Sequence, residues 1–164
     1  MKYVLLILLF SLCVAVGYMF SLKYKKRQKF FSSLIMLAEK LDVEINYSRE
    51  RLKILIQDFD EKQKKTLYGI DTNYISYLNS EVELSSQNLF KNINFLKDSE
   101  KDLIYIFFKN LGRSDVENQS KEIKSYVKRF EEQSKICDND NKKYGSLCTK
   151  LGVVVGLFLI IVLI

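Results

Sequence analysis

Chemistry in a folded chain needs acids, bases, nucleophiles or metal ligands at matched spacing, and few residues here meet that need. The 164 residues contain no His, so Ser–His and Cys–His nucleophile pairs and His-ligated metals are excluded. The three thiols, Cys13, Cys137 and Cys148, show neither CxxC nor metal spacing and read as small apolar residues. Gly17, Gly69, Gly112, Gly145, Gly152 and Gly156 are scattered and build no phosphate-cradling loop. The carboxylate pairs Asp58/Asp60 and Glu131/Glu132 stand among lysines and read as solvated helix faces. The chain is therefore expected to be a scaffold or adaptor, neither enzyme nor cofactor carrier.

Recognition remains, and Phe107-Phe-Lys-Asn-Leu-Gly-Arg-Ser-Asp-Val-Glu-Asn-Gln119 has the residue types for it. The stretch reads as one helix ending, a corner and another helix starting. Leu111 closes an apolar run, and Gly112 supplies the left-handed residue that ends a helix. Ser114 and Glu117 have capping-box spacing. Leu111, Gly112, Arg113, Ser114, Asp115 and Gln119 are the candidate partner-binding residues. A polar corner between apolar helices should be exposed. Arg113 is its cleanest probe, because Asp115 would in any case favour a helix N-terminus.

The elements around this corner read as helices throughout. Phe30, Leu34, Leu37, Leu41, Ile45, Leu52, Leu55 and Phe59 recur at helical spacing, with Ser48 the gap in the stripe. The segment is either one long helix or two that break near Tyr47–Arg51. Asp60–Lys65 is a helix end or a loop. Tyr74, Ile75, Tyr77, Leu78, Val82 and Leu84 mark one short helix; Leu89, Phe90, Ile93, Phe95 and Leu96 mark another. Asp98-Ser99 caps an apolar helix that ends at Leu111. No Pro and only six Gly favour long helices. The fold class predicted is all-α, an antiparallel helical bundle between two terminal membrane helices.

Charge places the chain at a membrane. Of the net +6, all sits in residues 1–29, which hold Lys2, Lys23, Lys25, Lys26, Arg27 and Lys29 and no acid; the rest carries 20 basic and 20 acidic residues. That distribution is a membrane signature and no nucleic-acid footprint. Residues 3–22 are apolar and, as a helix, span about 30 Å. A cleaved signal peptide would carry its charge ahead of the apolar run, whereas five basic residues follow it here. A lipoprotein would use Cys13, but Leu12 occupies the place of a small residue. An uncleaved span fits, with Lys23, Lys25, Lys26, Arg27 and Lys29 orienting it so that residues 23–143 are cytoplasmic. The same cluster suits anionic headgroups, at about 1 kcal/mol per residue.

Beyond the corner, Val116, Ile123, Phe130, Cys137, Tyr144 and Leu151 are spaced by seven, a one-sided seam for packing in a bundle. Asp138-Asn-Asp-Asn141 has poor helix propensity and is expected to kink or fray the helix. The last apolar run, Leu151 to Ile164, is about 21 Å of helix. Residues 144–164 together are long enough to span, with Lys150 snorkelling. Gly152-Val-Val-Val-Gly156 is a GxxxG step for close helix contact, the partner being the first span or another protein.

Leu111-Gly-Arg-Ser-Asp115 with Gln119 resembles the signature of the stage III sporulation protein AB family of endospore-forming bacteria. Leu41-Asp-Val-Glu-Ile-Asn-Tyr47 and Tyr144-Gly-Ser-Leu-Cys-Thr-Lys-Leu-Gly-Val-Val-Val-Gly156 are similar to other parts of that family. One departure is Glu50-Arg51-Leu52, where the family usually shows Thr-Pro-Leu; without the Pro no helix break is enforced there. The resemblance implies a platform component of a channel complex between mother cell and forespore, in the mother-cell membrane. It implies a soluble part similar to the cytoplasmic domain of type II secretion platform proteins. The implied partners are other stage III sporulation channel proteins, including a secretion-type cytoplasmic ATPase. Two other classes share the architecture: a membrane-tethered signalling or sensor module, and a small membrane-permeabilising protein. The first wants an outer receptor domain, and the large neutral domain with its own apolar stripes counts against the second.

Overall fold

The computed structural model describes residues 2–47 and 52–163 of the chain. Among the described residues every regular element is helical: α1 (Lys2–Tyr47), α2 (Leu52–Gln57), α3 (Glu61–Thr66), α4 (Ile70–Leu78), α5 (Ser86–Leu89), α6 (Asp98–Asn110), α7 (Val116–Asp140), a π-helical turn (Asn141–Gly145) and α8 (Ser146–Leu163). The break foreseen near Tyr47–Arg51, and the gap at Ser48, fall largely on residues 48–51, outside the described ones. Two compact units result: Met1–Gln28 with Lys135–Ile164, and Lys29–Ser134. They divide by packing, whereas the sequence boundaries at residues 23 and 143 divide by polarity.

The unit Lys29–Ser134 closes on aromatic rings. Phe30, Phe31, Leu34, Leu37, Ala38 and Leu41 of α1 are buried, as are Phe107 and Phe108 of α6 and Ile123 and Phe130 of α7. The Phe130 ring lies 5.2 Å from Phe107 and 6.4 Å from Phe31, so one side chain joins three helices. Tyr74 of α4 sits 4.8 Å from Phe108. Such ring pairs add about 0.5–1.5 kcal/mol beyond area burial. Phe31 near Phe130, and Asp42 near Ser120, make α1 antiparallel to α7 here.

Four local expectations change. Asp60–Lys65 contributes to a helix, α3. The run Leu89–Leu96 is helical only through Leu89. Phe90, Ile93, Phe95 and Leu96 are buried all the same, so burial of an irregular segment imitates helical periodicity. Val82 and Leu84 lie beyond the end of α4 at Leu78. The N-cap of α6 is Lys97, one residue before Asp98-Ser99; Glu100, at the third helical position, accepts from the Lys97 backbone N–H at 2.9 Å.

In the other unit, the first part of α1 and most of α8 turn large apolar side chains outward. Leu5 is 67% exposed and Ile161 75% exposed. Two helical stretches, Val4–Asn46 and Val116–Val162, are long and apolar enough to cross a membrane. The heptad seam explains only the middle of the second stretch. Ile123, Phe130 and Cys137 are buried, but Val116, Tyr144 and Leu151 are exposed. The π turn is the reason at the C-terminal end. It inserts one residue into the helical phase, so the inward position after Cys137 is buried Gly145, and seven further on is Gly152. The Asp138–Asn141 run stays helical, with its phase shifted at its end.

Candidate functional site

At the corner, α6 ends at Asn110 and α7 begins at Val116. The Leu111 N–H donates to Phe107 O at 3.2 Å, and Gly112 turns the chain at φ 78°. An L side chain would be strained there. The N-cap of α7 is Asp115, where the sequence suggested Ser114. Asp115 O accepts the first helical bond, from the Gln119 N–H at 2.8 Å, and Asp115 Oδ2 accepts from the Asn118 N–H at 3.5 Å. Asp115 Oδ1 also accepts from Asn118 Nδ2 at 2.6 Å, a bond that holds its carboxyl below the usual carboxylate range. Glu117 takes no part in a capping box; it pairs with Lys121 at 2.7 Å, one turn along the surface.

Gln119 organises the turn. It is 3% exposed, and its Oε1 accepts from the Gly112 N–H at 2.9 Å and from the Ser114 hydroxyl at 3.4 Å. The six candidates therefore divide. Leu111 and Gln119 are buried, Ser114 is half-buried, and only Arg113 and Asp115 present charged side chains to solvent. Asp115 is used in capping; among the described residues Arg113 bonds only through its backbone N–H, to Asn110 O at 3.3 Å.

The stretch 41–47 meets the residue after Gln119, which the sequence did not show. Ser120, 7% exposed, donates from its hydroxyl to Asp42 Oδ1 at 2.5 Å, and Asn46 Nδ2 donates to Ser120 Oγ at 3.3 Å. Lys124 Nζ lies 3.6 Å from Asp42 Oδ2. The i, i+4 spacing of Asp42 with Asn46, and of Ser120 with Lys124, was the available signal: each pair shares one helix face. Beside this junction an open groove of about 590 Å³ runs between α1 and α7, lined by Glu39, Asp42, Val43, Lys124, Val127, Lys128 and Glu131.

On α4, Asp71 is buried and its Oδ1 has no hydrogen-bond partner among the described residues. Burial pushes its carboxyl above the usual range. Burial likewise raises the Tyr74 phenol, against the opposing charge of Arg113. Among the described residues no group of three or more Cys, Asp or Glu is placed to hold a metal ion.

In the unit of paired apolar helices, the residues singled out for orientation do not behave alike. Lys23, Lys25 and Lys26 are exposed. Arg27 is 4% exposed, and its Nη1 donates to Asp140 Oδ2 at 2.7 Å. Gln28 donates to Asp138 Oδ1 at 2.7 Å and accepts from Asn141 Nδ2 at 2.9 Å. Arg27 is thus a structural ion pair in a polar clamp. Lys29 is exposed and begins the other unit.

Gly152 packs against Gly17 of α1. A Cβ at 17 would lie 2.7 Å from Cys148 O, and one at 152 would lie 2.9 Å from Cys13 O. A Cβ at Gly156 would meet the Phe10 ring at 2.6 Å. The contact partner of the GxxxG step is therefore the first apolar helix. Gly17 was the missed member, and the π turn explains why: the register that brings it to Gly152 is invisible in an uninterrupted heptad.

A family model described as stage III sporulation protein AB matches residues 2–164, essentially the whole chain. Comparison with curated proteins finds no match, and comparison with solved structures finds none.

Proposed function

Because the chain belongs to the stage III sporulation protein AB family, and so has a role in sporulation, we propose that it is a membrane-anchored platform in the sporulation channel complex between mother cell and forespore. On this reading it works by binding and not by catalysis. Two spans, residues 3–22 and 144–164, hold residues 23–143 on the cytoplasmic, mother-cell side. The helical unit then serves as a docking body similar in kind to the cytoplasmic domain of type II secretion platform proteins. Its partners are other stage III channel proteins, with a secretion-type ATPase as the cytoplasmic neighbour.

The observation that carries the proposal is the contrast in exposure. Large apolar side chains of α1 and α8 face outward, including Met19 at 68% and Phe158 at 64%, as lipid-facing helices require. The unit Lys29–Ser134 instead buries its rings and turns charge outward.

Topology tests this directly. Cys137, 1% exposed, is too buried to report. In a chain freed of Cys13, Cys137 and Cys148, a single Cys at exposed Lys91 should react with an impermeant thiol reagent only after the membrane is opened. Labelling in intact cells would contradict the proposal.

A further inference from the structure

Contacts between α1 and the helix entering α8 set residues at matching levels. Tyr24 stacks on Tyr144 with ring centroids 6.0 Å apart, and Arg27 pairs with Asp140 at 2.7 Å. Lys25 and Lys26 on one helix, and Lys142 and Lys143 on the other, lie between these two contacts in sequence and so at one height. Lys23 is one residue from Tyr24. All five lysines are exposed. The two acids at this level, Asp138 and Asp140, are offset by Lys142 and Arg27 respectively. Lys23, Lys25, Lys26 and Lys143 remain, with Lys143 lying over the Tyr144 ring at 5.3 Å.

The surroundings identify what such a collar meets. Immediately on one side of the tyrosine pair the surface turns apolar: Met19, Phe20, Leu147 and Leu151 are all exposed. Tyrosines abreast on two helices, with apolar surface to one side and lysines to the other, have the order of a membrane interface. Phosphate groups of lipid occupy that level. Each lysine held there attracts anionic lipid by about 1 kcal/mol.

We propose that Lys23, Lys25, Lys26 and Lys143 form a seat for anionic phospholipid headgroups, built jointly by the two apolar helices and separate from the Arg27–Asp140 clamp. This rests on the membrane-spanning reading of those helices. The clamp fixes the two helices side by side, and the exposed lysines on their outer faces, which form no ion pair among the described residues, then gather headgroup phosphates around both.

The test uses the full chain in nanodiscs of equal phosphatidylglycerol and phosphatidylcholine, which have no inside or outside and so remove topology as a variable. Native mass spectrometry counts the lipids retained by the released protein. Phosphatidylglycerol should exceed phosphatidylcholine by at least about three-fold. Replacing the four lysines with Gln should bring the ratio close to one, whereas the same change at exposed Lys53, Lys65, Lys91 and Lys109 should leave the enrichment intact. Equal retention by the native chain, or enrichment that survives the four collar substitutions, overturns the proposal. A chain that fails to enter nanodiscs of either lipid would instead refute the spanning reading.

Discussion

In the unit Lys29–Ser134 neighbouring helices are held together by rings; in the unit of Met1–Gln28 and Lys135–Ile164 they are held by glycines. Phe130 fills the space between α1, α6 and α7 with a ring 5.2 Å from Phe107. Gly17 and Gly152 leave no space at all, with backbone atoms where a Cβ would go. On the membrane-spanning reading, the difference follows from the solvent of each unit. In water, burying a large apolar side chain is itself the driving force. In lipid that force is absent between helices, and close backbone approach with direct packing takes its place. The polar clamp of Arg27, Gln28, Asp138, Asp140 and Asn141 belongs to the second unit, where the helical phase also changes.

If rings carry the first unit, Phe130→Ala should lower its stability by about 3–5 kcal/mol, followed by near-ultraviolet circular dichroism of the full chain in detergent during denaturation. A loss under about 1 kcal/mol would mean that the rings are not what closes the core. If glycines carry the second, Gly17→Leu with Gly152→Leu should push the paired helices apart, at about 1–3 kcal/mol per overpacked site. Electron–electron resonance between spin labels at exposed Leu8 and Phe158 should show a longer, broader distance while the aromatic signal of the other unit is unchanged. An unmoved distance would show that the crossing does not depend on these glycines.

Within the ring-packed unit the corner offers a finer comparison. Gln119→Ala removes the acceptor for Gly112 and Ser114 and should cost about 1–2 kcal/mol. Glu117→Ala removes only an exposed pair with Lys121 and should stay within about 0.5 kcal/mol. The reverse order, read by urea denaturation, would restore the capping box that the structure does not form. The smallest effect concerns Asp71. Its folded carboxyl titrates above the unfolded one because burial disfavours the charge. The folded state therefore binds the proton more readily, and stability falls as pH rises from the usual carboxylate range through the folded value, then stays low. Asp71→Asn should raise the melting temperature slightly at pH 7 and flatten that fall. A lower melting temperature at pH 7 would mean that the carboxylate has a partner.

Much of this was legible in the residues. Helical spacing gave the all-helical class, and Gly112 gave the corner. The caps were read one residue wrong at two places: at α6 the Glu100 carboxylate reaches back to the Lys97 backbone N–H with no capping side chain at 97, and at α7 adjacent polar residues offer competing caps. Ser114 with Glu117 and Asp115 with Asn118 both satisfy a three-residue spacing, and only the packing of Gln119 under the turn decides between them. Leu89–Leu96 was misread because burial follows apolar side chains whether or not the backbone is helical. The π turn at Asn141–Gly145 carried no sequence mark beyond the weak helix formers before it. It hid both Gly17 as the partner of Gly152 and Arg27 as a clamp residue in what read as a uniform basic cluster.

We propose that the ring-packed unit is a docking body of the sporulation complex and that the corner is one of its contacts. Asp115 caps α7, so Arg113 is the residue to change. Arg113→Glu alone leaves the cap and the Gln119 bonds in place, so the protein should reach the membrane at normal abundance. The deciding measurement is the yield of heat-resistant spores from that single mutant, with the protein confirmed present in the membrane fraction. A yield as low as that of a strain lacking the protein is expected, with partner proteins no longer recovered alongside it. A wild-type yield would contradict it and reduce the corner to a well-tied turn.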